Sequence, residues 1–166
     1  MKKITLLLLL LSFTLLGCKS KIKLEVNEYG IAIYPKENSS DPNSHKQIYD
    51  VLGDSGCYLF KEYNDFNDFL NEYDLLINQK IESKYSEDFF QDKSLIIYFG
   101  MDPNPGYKYK FYLYNEDNIL RLEINKSINK KYKYPAIEVD RMFFIDINKE
   151  EIINTTEFIF SIDITK

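Results

Sequence analysis

The chain has little of what catalytic and metal-binding sites are usually built from. Its 166 residues include two cysteines, one histidine and no tryptophan. A single histidine leaves no His-rich metal cluster, and a nucleophilic Cys57 would have only His45 as a base, within the polar run 36–46. Glycine (6) and proline (5) are scarce, and there is no P-loop, dinucleotide-binding glycine turn or Gly-x-Ser-x-Gly elbow. Positive charge is short too: 21 Lys and Arg stand against 26 Asp and Glu, with no basic cluster, which argues against a nucleic-acid partner. The acidic pairs Asp65/Asp68 and Glu150/Glu151 lack the alternating oxygen ligands of a calcium loop and read as solvated faces. No catalysis, metal or cofactor is expected from this inventory.

What is present begins at the N-terminus. Met1-Lys2-Lys3 is a basic start, and the apolar run Ile4–Leu16 is short for a bilayer span. Leu15-Leu16-Gly17-Cys18 follows, and this ending resembles the lipobox of bacterial lipoproteins. The resemblance implies that residues 1–17 are a signal peptide and are removed. It implies that Cys18 is lipidated and becomes the first residue of the mature chain, with 18–21 as a short tether. Each buried lipid CH₂ contributes about 0.8 kcal/mol, so palmitate-like acyl chains would hold the protein almost permanently at a membrane. The expected place is the extracytoplasmic side of a bacterial cell envelope; inner, outer or single membrane stays open. Cleavage before Cys18 leaves 149 of 166 residues, and loss of Lys2 and Lys3 takes the basic count to 19 against 26 acids, a net charge of −7. One domain over 22–166 fits that length. With Cys18 lipidated, Cys57 has no partner within the chain; beside the nucleophile reading stands that of a small buried hydrophobe.

The 14 Tyr and 12 Phe favour sheets. Residues 22–34 alternate loosely, as a strand or weak hairpin, and 35–46 carry turn chemistry. Apolar runs at 47–52 and 57–62 flank Gly53-Asp54-Ser55-Gly56 as a hairpin or strand-to-strand connection. Phe66, Phe69, Leu70 and Tyr73 recur at helical spacing, with Asn64 or Asp65 as N-cap. Residues 75–80 are ambiguous, and 86–91 read as one helical turn capped by Ser86. Lys93–Phe99 is a continuous apolar run suited to a buried central strand. Tyr107–Tyr114 and Ile119–Lys126 alternate around the turn Asn115–Asn118 and predict a β-hairpin. Val139, Arg141, Phe143, Ile145 and Ile147 share one face, as do Phe158, Phe160, Ile162 and Ile164. The half after residue 93 thus reads as a meander of about five strands. The fold class is α+β and mostly antiparallel β, a sheet or small sandwich or barrel with one or two short helices on one side.

Two resemblances bear on function. The stretch "YSEDFFQDKSLIIYFGMDPNPGYKYKFYLYNEDNILRLEINKS", with "YPAIEVDRMFFIDINKE" after it, resembles the PrcB-type C-terminal domain of protease-complex subunits over roughly residues 57–150. Phe89-Phe90, Leu95–Phe99, Gly106-Tyr107 and Phe143–Lys149 carry it, with Pro105 where that family has a small polar residue. It implies a small β-rich module of exported proteins, with an envelope protease or complex as partner. Separately, Asp102-Pro103-Asn104-Pro105-Gly106-Tyr107 is similar to the Asn-Pro-Thr-Thr-Gly-Tyr loop of chagasin-like cysteine peptidase inhibitors at Pro103, Gly106 and Tyr107. That family's Gly-x-Gly-Gly and Arg-Pro-aromatic motifs have no counterpart in the chain. The loop can equally be a plain turn, with proline presetting φ and Gly106 supplying positive φ. The sequence therefore points to a membrane-anchored, non-catalytic protein-binding or accessory module. A peptidase inhibitor using loop 102–107 and a small-ligand-binding lipoprotein are the alternatives, and oligomeric state stays open.

Overall fold

The computed structural model describes residues 20–29, 33–35, 52, 55–77, 79–129 and 131–165. Its centre is the apolar run anticipated at 93–99, which extends as strand β6 (Lys93–Asp102). β6 pairs antiparallel with β9 (Val139–Asn148) from Lys93↔Asn148 to Asp102↔Val139. Strands β2 (Glu25–Tyr29) and β4 (Ser55–Phe60) flank this pair, giving a sheet of order β2-β9-β6-β4. Both faces of the central pair are apolar, so both faces must be covered.

One face is covered by a second sheet of order β1-β7-β8-β10, made of Ser20–Ile22, Tyr107–Glu116, Ile119–Ile128 and Glu157–Thr165. Ile96, Tyr98, Phe143, Ile145 and Ile147 meet Ile22, Leu113, Leu120, Leu122 and Ile124 there, in an apolar inter-sheet core. Helix α1 (Tyr63–Glu72) and the small ribbon of β3 (Ile33–Pro35) and β5 (Leu75–Ile77) lie on the other face. Short helices α2 (Gln79–Glu82) and α3 (Phe89–Asp92) join them. Phe66, Phe69, Tyr85 and Phe90 pack there against Leu95, Ile97, Phe99 and Phe144. The architecture is α+β, a sandwich of two mostly antiparallel sheets with the helices on one side.

The predicted hairpin is β7–β8, paired from Tyr107↔Ile128 to Glu116↔Ile119. Its turn is tighter than the expected four residues. Only Asp117 and Asn118 are unpaired, with φ of 53° and 64°, the two positive values that match the right-handed twist of the flanking strands. The helix stripe is also in place, with Phe66 and Phe69 buried, but Glu62 is the N-cap residue and no side chain caps it. Asp88, not Ser86, precedes α3; Ser86 contributes its carbonyl to the Phe89 amide. The 22–34 stretch forms no hairpin, since β1, β2 and β3 enter three different sheets. Of the 47–52 run only Leu52 is described, and most of the 35–46 turn segment and His45 lie outside the described residues.

The five strands after residue 93 are present, but they do not form a meander. The chain changes sheet between β6 and β7, between β8 and β9, and between β9 and β10. β10 returns parallel to β8, from Glu157↔Ile119 to Thr165↔Ser127. A meander would leave the apolar inner faces of β7 and β8 without a cover, whereas alternating between sheets stacks them on β6 and β9.

Candidate functional site

The 102–107 segment joins the two sheets, and its geometry follows from that task. Asp102 has the same parity on β6 as Ile96 and Tyr98, so its carboxylate points into the inter-sheet core, where it is fully buried. An unpaired carboxylate there would be severely penalised. The partners come from three other strands. Tyr109 of β7 donates its hydroxyl hydrogen to Asp102, 2.9 Å from either oxygen. Lys126 of β8 is ion-paired to Asp102 Oδ1, and Arg141 of β9 brings Nε to 3.4 Å from Oδ2. Lys126 also stacks over the Tyr107 ring, 4.8 Å from its centroid. The inter-sheet core thus ends in a polar plug that ties both sheets together where the chain crosses.

The rest of the loop is fastened to the same plug. Asn104 Oδ1 accepts a hydrogen bond from the Gly106 amide at 3.0 Å, closing an Asx-type turn. Arg141 donates through Nη2 to the Pro105 carbonyl at 3.0 Å and through Nη1 to Glu28 of β2 at 2.5 Å. Gly106 is needed for closeness and not for a positive φ: a Cβ there would fall 2.4 Å from the Tyr134 ring. Of the six loop residues, Asp102 and Gly106 are buried, Asn104 and Tyr107 half-buried, and only Pro103 and Pro105 exposed. Lys126 and Arg141 escaped notice as site residues in the sequence. Their signal was parity: each continues an inward apolar row, after Leu120, Leu122 and Ile124 and before Phe143 and Ile145 respectively.

Burial marks the phenols around the plug. Desolvation, reinforced by the Asp102 carboxylate and opposed by hydrogen bonding with the Tyr109 hydroxyl, pushes Tyr98 up to about 12. Tyr109 is pushed higher still, by burial first and then by Tyr98 and Asp102. A second buried carboxylate, Asp146 of β9, faces the helical side. Lys84 approaches it at 2.8 Å and the Tyr85 hydroxyl donates to it at 3.1 Å. Burial, then Asp146, raises Tyr85 as well.

Cys57 lies in β4 as anticipated, beside a cavity of about 290 Å³ bounded by Leu59, Lys61, Thr155 and Phe158. Burial pushes its thiol far up, which suits a small hydrophobe and not a thiolate nucleophile. Two further concavities adjoin Lys149, one of them bounded in part by Ile153. Among the described residues no cluster of His, Cys, Asp or Glu is placed to hold a metal ion.

Among the strands of nine or ten residues, β10 alone has no buried residue. Phe158 packs on the inter-sheet core, but Phe160, Ile162 and Ile164 on the same face remain 41%, 37% and 50% exposed. β10 runs nine residues, and β4, the edge strand of the other sheet near its start, runs six. Among the described residues no strand pairs with its outer edge. Cys18 lies outside the described residues. No family model, curated protein or solved structure matches the chain.

Asp102→Asn leaves Lys126 and Arg141 facing a neutral amide and is expected to cost about 3–5 kcal/mol of stability, as removal of one partner from a buried pair does. Urea unfolding measures it; a loss below about 1 kcal/mol would remove the plug from the account. The raised phenols give a pH signature. In the unfolded chain tyrosines ionise near pH 10, so the stability they contribute is complete below about pH 10 and is lost as pH climbs through about 12. Urea midpoints should fall steeply across that window, together with late-titrating tyrosine absorbance; a flat midpoint would contradict the burial of Tyr98 and Tyr109.

Proposed function

We propose that this chain is a lipid-anchored extracytoplasmic lipoprotein whose single domain is a non-catalytic protein-binding or accessory module. The observation that carries the reading is the outer edge of β10, nine residues long and without a strand partner among the described residues, beside exposed Phe160, Ile162 and Ile164. A free, apolar strand edge is the surface by which sheets add a further strand from another chain. The anchor at Cys18 and the place in the cell envelope rest on the lipobox-like Leu15-Leu16-Gly17-Cys18. An envelope protease or complex as partner rests on the PrcB-type resemblance alone.

The peptidase-inhibitor alternative asks loop 102–107 to enter a cleft. That loop's charged and glycine residues face inward, and its Pro105 carbonyl is occupied by Arg141. The small-ligand alternative has the cavity beside Cys57, which at about 290 Å³ lies at the small end of ligand pockets. Both weigh less than the strand edge.

Two experiments test the reading. Cys18→Ser should abolish incorporation of labelled palmitate and move the chain from the membrane to the soluble fraction; continued membrane retention would contradict the anchor. Crosslinking in intact cells should give a defined protein adduct that Ile162→Lys loses and that replacement of 103–105 by Gly-Ser-Gly retains. The opposite pattern would move recognition to the loop and favour inhibition.

A further inference from the structure

We propose that the occupant of the β10 edge is a second copy of this chain, added antiparallel across a two-fold axis at Ser161. The inference rests on the protein-binding reading above and specifies its partner.

The segment Glu157–Thr165 (EFIFSIDIT) is unusual for an edge strand. Edges are normally blunted by lysine, proline or a bulge, and this strand contains neither of those residues. Its pattern is self-complementary about its centre. Two copies in antiparallel register about Ser161 place Phe158 opposite Ile164 and Phe160 opposite Ile162, so the four apolar inner residues of each copy meet those of the other. On the outer face Ile159 falls opposite Asp163, and Glu157 opposite Thr165. No like charges are opposed, which satisfies the main electrostatic requirement of a cross-strand ladder.

The outer face also offers opposite charges. Arg121 of β8 is in register with Ile159, so in the paired arrangement the row runs Arg121, Ile159 and then Asp163 of the partner subunit. That separation is two strand spacings, about 10 Å between backbones, within the combined reach of the two side chains. Arg121 Nε is buried without a hydrogen-bond partner, its nearest carboxylate oxygen being on Glu116 at 3.7 Å. Pairing adds an acidic neighbour to this face.

Size sets how tight the pair is. Exposures of 41%, 37% and 50% on side chains of about 200 Å² leave roughly 250 Å² of apolar surface per copy for burial, besides the nine-residue ladder. This is well below a standard stable interface of about 1,200–2,000 Å². The pair is therefore weak in dilute solution and depends on confinement of both copies to one membrane surface, where tethering raises effective concentration.

The test uses the full-length chain in its own membrane. Ser161 sits on the axis, so Ser161→Cys faces its own copy and should form a disulfide-linked species of doubled mass under mild oxidation. Asp117→Cys, on the exposed β7–β8 turn, should not. Adding Ile162→Lys should lower the Ser161→Cys dimer by about tenfold or more, since it sets a charge in the apolar row. Ile162 is exposed, so the fold should survive, and an unchanged urea midpoint checks this. A doubled band no stronger than that of Asp117→Cys, or one indifferent to Ile162→Lys, overturns the inference. If Ser161→Cys instead links to a different protein, the second copy is excluded while the protein-binding reading stands. If it links to nothing and Ile162→Lys alters no adduct, both fail.

Discussion

The pairing of β6 with β9 carries this fold because both strands are apolar on both faces. Leu95, Ile97, Phe99 and Phe144 on one side, and Ile96, Tyr98, Phe143 and Ile145 on the other, are all almost completely buried. Two strands of this kind cannot sit at a surface. They require a second sheet on one face and a layer of helix and ribbon on the other, and the chain supplies both by changing sheet three times after residue 93. Rings pack along the helical face, with Tyr29 edge-on to Phe144 at a centroid distance of 5.2 Å and Tyr85 tilted against it at 4.9 Å.

The polar plug follows from the same constraint. Where β6 leaves the central sheet for β7, a carboxylate enters the inter-sheet space, and the surrounding low dielectric demands compensation. Tyr109, Lys126 and Arg141 meet that demand from three strands. Such a network fixes how the sheets sit on each other, because its partners converge only in one register. Loop 102–107 is accordingly a crossover between the sheets, with Asp102 and Gly106 buried and the Asn104 and Pro105 oxygens occupied by hydrogen bonds.

Period-2 patterns were readable in the chain and local turns nearly so. The β7–β8 hairpin could be read because alternation and a polar turn lie within one stretch, and β6 because its continuous apolar run admits only double burial. Doubly buried β9 was half visible: Val139, Arg141, Phe143, Ile145 and Ile147 were placed on one face, while Met142 and Phe144 on the other are buried too. The parallel pairing of β10 with β8 has no local signal, since register between strands 38 residues apart is set by the layers around them. The same holds for the site. Asp102 looked like a loop residue, and its burial depends on partners 7, 24 and 39 positions later in the chain. The exposure of Phe160, Ile162 and Ile164 is likewise invisible in an alternating apolar pattern, which gives the face of a residue and not what lies over it.

Residue-resolved amide hydrogen exchange under native conditions tests the central claim most directly. If the doubly buried pair is the spine, the slowest amides cluster in β6 and β9 and exchange only through global unfolding, with β7–β8, α1 and the ribbon opening earlier. If the slowest amides lie in the outer sheet or the helical layer, and β6 and β9 exchange before them, the fold is not organised around that pair.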